Sequence, residues 1–189
     1  MSGNFKNSPI FVISGASGSG KTTVCRKMAE EFGLYYSVSH TTREKRPQEV
    51  HGRDYYFVSL TTFEDMIKGH KFVEWAKVYN NYYGTSKTVI EDHLHLGQGV
   101  ILDLDTQGAS NIKKHYPEAV LIFLQTPNFD DLKKRLTARG QDSLEEIRRR
   151  VDYARNELAK IKEYDHVILN DDLEKALEDT RDIVGAKFL

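Results

Sequence analysis

Gly15-Ala16-Ser17-Gly18-Ser19-Gly20-Lys21-Thr22, directly after the apolar run Ile10-Phe11-Val12-Ile13, decides how this chain is read. The segment matches the phosphate-loop pattern of Gly, four residues, Gly, Lys and Ser or Thr, in the required context of strand, loop and helix. Glycines let the backbone fold back tightly and turn several N–H groups into one concavity, to which the following helix adds the positive end of its dipole. An anion is the expected occupant. Lys21 offers a point charge to the outer phosphates of a nucleoside triphosphate, and the Thr22 hydroxyl offers a ligand to Mg²⁺. A flexible Gly/Ser linker would need neither flank, and both are present.

Outward from the loop, strand and helix patterns alternate. Residues 10–14 predict a strand buried on both faces, and Val24, Met28, Ala29 and Phe32 have helical spacing up to a stop at Gly33. From 35 to about 83 the pattern changes to short, Tyr-rich extended pieces with turn signals at Arg46-Pro47, His51-Gly52 and Asn80-Asn81. Thr61 and Glu64 suggest a capping box for a short helix reaching about Lys68, and an extended piece follows over 71–79. The α/β rhythm then resumes. A helix ends near Gly97, the run 100–105 ends in the carboxylates Asp103 and Asp105, and 119–124 is another buried strand. Helical patterns cover 107–115, 130–139 and 143–162, and 165–169 reads as the last strand. The terminal helix has Leu173, Ala176, Leu177, Thr180, Ile183 and Val184 on one face and Gly185 as its stop. Strands alternating with helices predict an α/β fold, a parallel sheet covered by helices on both faces, with ligand chemistry at the carboxyl ends of its strands.

Composition narrows the function classes. The 189 residues suffice for one core plus a small insertion, and 39% hydrophobic against 29% charged residues is a globular balance. Lys and Arg total 27 against 28 Asp and Glu, a net charge of −1, so a globally basic nucleic-acid binder is excluded. The single cysteine, Cys25, cannot form an intrachain disulfide, and no apolar run approaches the roughly 18 residues of a membrane span. A cytoplasmic location is the expectation. The seven histidines have no transition-metal ligand spacing.

Five further segments carry a resemblance. These are Tyr36-Ser37-Val38-Ser39-His40-Thr41-Thr42-Arg43, Gly52-Arg53-Asp54-Tyr55-Tyr56-Phe57, Phe72-Val73-Glu74-Trp75-Ala76, Tyr82-Tyr83-Gly84-Thr85 and Ile101-Leu102-Asp103-Leu104-Asp105-Thr106-Gln107-Gly108. In this order, together with the phosphate loop, they resemble the guanylate kinases over nearly the whole chain. The resemblance implies a P-loop nucleoside monophosphate kinase that phosphorylates GMP, and dGMP, with ATP and Mg²⁺. It implies a core over 1–34 and 86–189, an inserted β-rich GMP-binding lobe over 35–85 and a helical lid over about 130–162. Implied GMP contacts are Ser39, Arg43, Arg46, Tyr55, Glu74, Tyr83, Thr85 and Asp103. The loop Gly15–Thr22 resembles the ATP site, Asn170 the position near the ATP base, and Arg135, Arg139 and Arg150 the lid arginines. The chain departs from the usual family residue at Ala16 and Lys45 (Pro), at His40 (Ser) and at Thr85 (Ser), which keeps the hydroxyl.

These residue types suit the task. Guanine presents the donors N1–H and N2–H₂, which call for acceptor-only carboxylates such as Glu74 and Asp103. Adenine would set a lone pair against them. Arg43 and Arg46 match phosphate oxygens with planar forks, and Tyr55 and Tyr83 add rigid hydroxyls. Arg148, Arg149 and Arg150 are consecutive and cannot all face one site, so Arg150 is assigned to the lid and its neighbours to a solvated face with Glu145 or Glu146. Asp103 is expected to serve the base, and Asp105 to orient Mg²⁺ or Lys21. Two alternatives stay open at this point: a phosphopeptide-binding scaffold, disfavoured by the intact Gly20, Lys21 and Thr22, and a kinase for another nucleoside monophosphate, disfavoured by the two carboxylates. Oligomeric state is not legible.

Overall fold

The computed structural model describes residues 8–78, 80–138 and 143–188. Strand β1, Ile10–Ser14, is buried throughout and lies at the centre of a five-stranded parallel sheet. Its neighbours are β7, Val100–Asp103, on one side and β8, Val120–Gln125, on the other. Beyond them lie β2, Tyr35–Ser37, and β9, His166–Leu169, giving the order β2-β7-β1-β8-β9.

Alternation along β1 decides what covers each face. Phe11 and Ile13 point into a cluster with Val24, Cys25 and Met28 of α1, Lys21–Phe32, and Ala176, Leu177 and Val184 of α7, Leu173–Gly185. Ile10 and Val12 point the other way, to Ile90 and Leu94 of α3, Lys87–His95, and Ala109 and Ile112 of α4, Thr106–His115. Phe11, Val12 and Ile13 are wholly inaccessible, each burial stabilising by about 1.5–3 kcal/mol. The strand that feeds the phosphate loop is thus held in the core from both faces.

A second sheet of order β4-β3-β6-β5 is formed by β3, His40–Thr41; β4, Tyr56–Phe57; β5, Phe72–Val78; and β6, Asn81–Ser86. The β5–β6 register slips between Phe72 and Glu74, a bulge that leaves Val73 as the extra residue. Val73 joins the core over α3 and α4, and Glu74 is set opposite Thr85. Helix α2, Leu60–Lys68, covers this sheet with Phe63.

Several local expectations are corrected. Residues 35–37, assigned above to the inserted segment, pair with Val100–Leu102 and belong to the first sheet. Ser59 rather than Thr61 caps α2, its Oγ accepting from the Thr62 N–H at 3.0 Å. Both hydroxyls suit the cap pattern, and the extended backbone falls at Ser59. Helix α6, Leu144–Leu158, stops short of 162, a separate 3₁₀ turn follows over Ile161–Glu163, and Gly185 lies inside α7 rather than after it.

Helix α5, Phe129–Ala138, and α6 form their own small cluster of Leu132, Leu136, Ile147 and Ala154, closed on the loop residue Ala16. Arg149 pairs with Glu145 on the outer face at 2.5 Å, as expected for a solvated pair. Among the described residues no helix is long and apolar enough to cross a membrane.

Gly84 shows how tightly the second sheet is packed. A Cβ there would sit 2.9 Å from Phe63 and 3.0 Å from Phe72, two rings already in contact. Gly84→Ala is expected to destabilise by about 1–3 kcal/mol through overpacking. In thermal unfolding this lowers Tm by several degrees, and an unchanged Tm would show that the rings move aside freely.

Candidate active site

The carboxyl ends of β1 and β7 open into a cleft of about 470 Å³ between the two sheets. The phosphate loop forms one end. Gly15, Gly18 and Gly20 have φ values of 136°, 100° and 99°, where a side chain is strained. Space is denied as well: a Cβ would lie 2.2 Å from the Leu124 carbonyl oxygen at Gly15 and 2.6 Å from Asn170 Nδ2 at Gly20. The turn is closed by the Ser19 N–H donating to the Ala16 carbonyl at 3.0 Å. Helix α1 starts at Lys21 with no acidic residue in its first turn, so its N–H groups and dipole face the cleft uncompensated by a carboxylate of their own.

Lys21 Nζ donates to the Gly15 and Ala16 carbonyls at 2.7 and 3.0 Å, which holds the ammonium on the loop. Thr22 Oγ1 donates to Asp103 Oδ2 at 2.5 Å. Asn170, itself buried, donates from Nδ2 to the Ser19 carbonyl at 2.6 Å, and its own carbonyl accepts from Arg135 at 2.9 Å. Arg150 on α6 donates to Ser17 Oγ at 2.7 Å. Four sequence-predicted cationic or amide side chains, Lys21, Asn170, Arg135 and Arg150, are therefore tied to the loop or its support. Arg139 lies outside the described residues.

The other end is built by the second sheet. Glu74 is 6% exposed and Thr85 is inaccessible. Thr85 Oγ1 donates to Glu74 Oε1 at 2.5 Å. A Cβ on Gly108 would lie 3.1 Å from Glu74 Oε2, so the missing side chain makes room for the carboxylate against α4. Burial raises the Glu74 pKa to about 7, opposed by the Thr85 hydrogen bond and reinforced by the charge of Asp105. Ser39 lines the same cleft.

Arg43, Arg46, Tyr55 and Tyr83 lie along the wall between the two ends. The guanidinium of Arg43 stacks 5.4 Å from the Tyr55 ring, which meets the Tyr83 ring edge-on at 5.9 Å. Burial pushes the Tyr55 hydroxyl well above its usual pKa, with the charge of Asp103 adding to the effect, so it stays a hydrogen-bond donor.

Sequence reading missed two carboxylates here. Glu49 accepts from Arg43 Nη2 at 2.6 Å and from the Arg46 backbone N–H at 2.8 Å, ordering both arginines. Burial works against the charge on Arg43, yet the hydrogen bond and charge of Glu49 raise its pKa overall. The only sequence signal was an acidic residue three positions after Arg46. Glu157, on α6, is buried and also lines the cleft.

The two aspartates are placed at different points of the cleft. Asp103, the last residue of β7, is paired in register with Ile13 and so is delivered to the phosphate loop, where it takes the Thr22 hydroxyl. Asp105 is the N-cap of α4, its Oδ1 accepting from the Gly108 N–H at 2.7 Å, while its buried Oδ2 has no hydrogen-bond partner among the described residues. Capping was invisible in the motif because the same residue ends a strand pattern and begins a helix.

Known proteins similar to this chain point to one family. A family model described as guanylate kinase matches residues 7–187. The guanylate kinase of Dechloromonas aromatica is 43% identical over 190 residues, covering 100% of this chain and 92% of that protein. That of Carboxydothermus hydrogenoformans is 45% identical, covering 95% and 89%. A crystal structure of guanylate kinase from Anaplasma phagocytophilum superposes with a TM-score of 0.80 at 31% identity, covering 95% of this chain and 86% of that one. Family match, near full-length relatives and a shared fold coincide, and this chain belongs to the guanylate kinase family.

Proposed function

We propose that the cleft carries out the family reaction, ATP-dependent phosphorylation of GMP to GDP, with ATP at the phosphate-loop end and GMP at the Glu74 end. The observation that carries this reading is one cleft lined at once by Lys21 and Thr22, by Arg43 and Arg46, and by Glu74.

In this reading the loop amides and Lys21 cradle the triphosphate, and Arg43, Arg46, Tyr55 and Tyr83 hold the GMP phosphate. A GMP phosphate oxygen attacks the γ-phosphorus, the bond to the β-bridging oxygen breaks, and ADP leaves with that electron pair. The protein's contribution is in-line positioning and neutralisation of the charge on the transferred group. Arg150 and Arg135 add positive charge from the α5–α6 side.

Glu74 and Asp103 accept from the guanine donors, with Ser39 toward the O6 and N7 side and Thr85 behind Glu74, its hydroxyl donating to that carboxylate. Asp103, bonded to Thr22, then links the acceptor end of the cleft to the donor end. The Thr22 hydroxyl and the Asp103 carboxylate are the hard oxygen donors that Mg²⁺ takes alongside substrate phosphates. Bound there, Mg²⁺ would supply charge neutralisation to the triphosphate. Residues 39–85 form the acceptor lobe, α5 and α6 the lid, and the remainder the core.

A coupled assay of ADP formation with GMP, AMP, UMP and dTMP in turn tests the assignment. GMP should exceed each of the others by at least about 10² in kcat/KM, the discrimination available to a buried carboxylate facing the wrong hydrogen-bonding edge. Comparable rates with AMP would contradict it.

A further inference from the structure

Arg26 has no part in the reaction as described above, yet it ties the phosphate-loop helix to the acceptor lobe. It lies on α1 beside Cys25 and two residues from Val24 and Met28, all three inaccessible, so its backbone is fixed in the core. Five residues back, the same helix begins at Lys21 of the loop. The guanidinium stands over the Tyr36 ring of β2 at 5.5 Å, a second core contact that directs the side chain. From there Arg26 Nη2 reaches the acceptor lobe, donating to the Arg53 carbonyl at 3.0 Å and to Asp54 Oδ1 at 2.8 Å.

Asp54 closes the turn from which the phosphate clamp is presented. Its second oxygen, Oδ2, accepts from the Val50 N–H at 2.8 Å, while the Val50 carbonyl accepts from the Asp54 N–H at 3.0 Å. On one side of this turn is Glu49, which orders Arg43 and Arg46, and on the other is Tyr55. Three of the four groups assigned above to the GMP phosphate, Arg43, Arg46 and Tyr55, thus hang on a turn that Asp54 closes and Arg26 fixes to α1. Arg53 also reaches Asp54 Oδ2, at 2.8 Å, but its side chain is 55% exposed and belongs to the turn itself, so it cannot relate the turn to the core. Asp54 lines the cleft, yet both of its oxygens are taken by protein donors, as suits a carboxylate that supports a phosphate clamp from behind and would repel the phosphate itself.

We propose that the Arg26–Asp54 pair is a latch that positions the GMP phosphate clamp against the phosphate-loop helix. Both are positioning residues and neither touches a substrate. This rests on reading the Glu74 end of the cleft as the GMP site. Because the latch orders the clamp before GMP arrives, its loss weakens ground state and transition state alike, and shows in KM rather than in kcat.

Steady-state kinetics of Arg26→Ala, Asp54→Asn and the double variant test the latch. Arg26→Ala should raise KM for GMP about fivefold, the upper range for a partly exposed pair, with kcat and KM for ATP within about twofold. Asp54→Asn should cost at least as much, because it weakens the turn as well, and adding Arg26→Ala to it should change KM by less than about twofold. Both bonds leave a single nitrogen rather than a planar fork, so Arg26→Lys, with three donors on one ammonium, should keep KM within about twofold of the parent. Arg53→Ala removes the exposed partner of Asp54 but spares the link to α1, and its KM should also stay within about twofold. Parental KM for GMP in Arg26→Ala, losses that multiply in the double variant, no recovery in Arg26→Lys, or a loss in Arg53→Ala as large as in Arg26→Ala would overturn the proposal. So would a fall in kcat with KM for GMP unchanged. If Asp54→Asn fails to fold, Arg26→Ala and Arg26→Lys decide by the same criteria. Activity of the unmodified protein with GMP tests the functional reading independently.

Discussion

Replacing Glu74 by Gln is expected to cut kcat/KM for GMP by about 10²–10³-fold and to narrow the preference for GMP over AMP to within about tenfold. A carboxylate presents only acceptors. The amide that replaces it turns an N–H donor toward guanine's own donors, and matches the donor and acceptor of adenine instead. The same change is expected to stabilise the fold in mild alkali. The folded-state pKa of Glu74 is raised from the ordinary 4.5 to about 7, so its proton contributes stability that is complete below pH 4.5 and is lost as pH rises through 7. Above pH 7 the buried charge costs on the order of 2–3 kcal/mol, a cost Gln does not carry. Thermal unfolding at pH 8 should show the variant melting higher than the parent, and at pH 4.5 little difference. A variant that melts lower at pH 8 and still prefers GMP strongly would refute the assignment of Glu74. For the parent, KM for GMP should rise as pH falls through 7, because the acceptor becomes protonated.

Lys21→Met should lower kcat by about 10²–10³-fold and leave GMP affinity within about twofold. The methionine keeps most of the stem's volume but not the ammonium that bridges the Gly15 and Ala16 carbonyls at 2.7 and 3.0 Å. The lost charge acts where negative charge spreads during transfer, whereas the GMP clamp lies on the other wall with Glu49 ordering its arginines. GMP titration by calorimetry separates the two effects. A large rise in GMP dissociation constant would mean that Lys21 serves the acceptor site instead.

What the sequence disclosed follows from how local each signal is. The phosphate loop was legible because its glycines, lysine and threonine are contiguous, and positive φ at Gly15, Gly18 and Gly20 is a backbone demand few residues meet. The alternation of β1 into two core clusters was readable from its apolar run. Glu49 and Glu157 were not, because Glu49 matters through the loop conformation that turns Arg43 and Arg46 toward it, and Glu157 reaches the cleft only through the packing of α6; neither breaks a local pattern. The bulge in β5 is likewise a property of the pairing with β6, invisible in one strand alone. Tyr35–Ser37 look like part of the insertion by composition, and only their register with Val100–Leu102 assigns them to the core sheet.

The central claim is that two nucleotides lie end to end in a single cleft. A molecule joining adenosine and guanosine through five phosphates spans both positions, and its titration by calorimetry is the most direct test. One molecule should bind per chain, more tightly than ATP or GMP alone because the second half binds at high effective concentration, with affinity weakened by both Lys21→Met and Glu74→Gln. Two equivalents bound per chain, or an affinity that either substitution leaves unchanged, would contradict it.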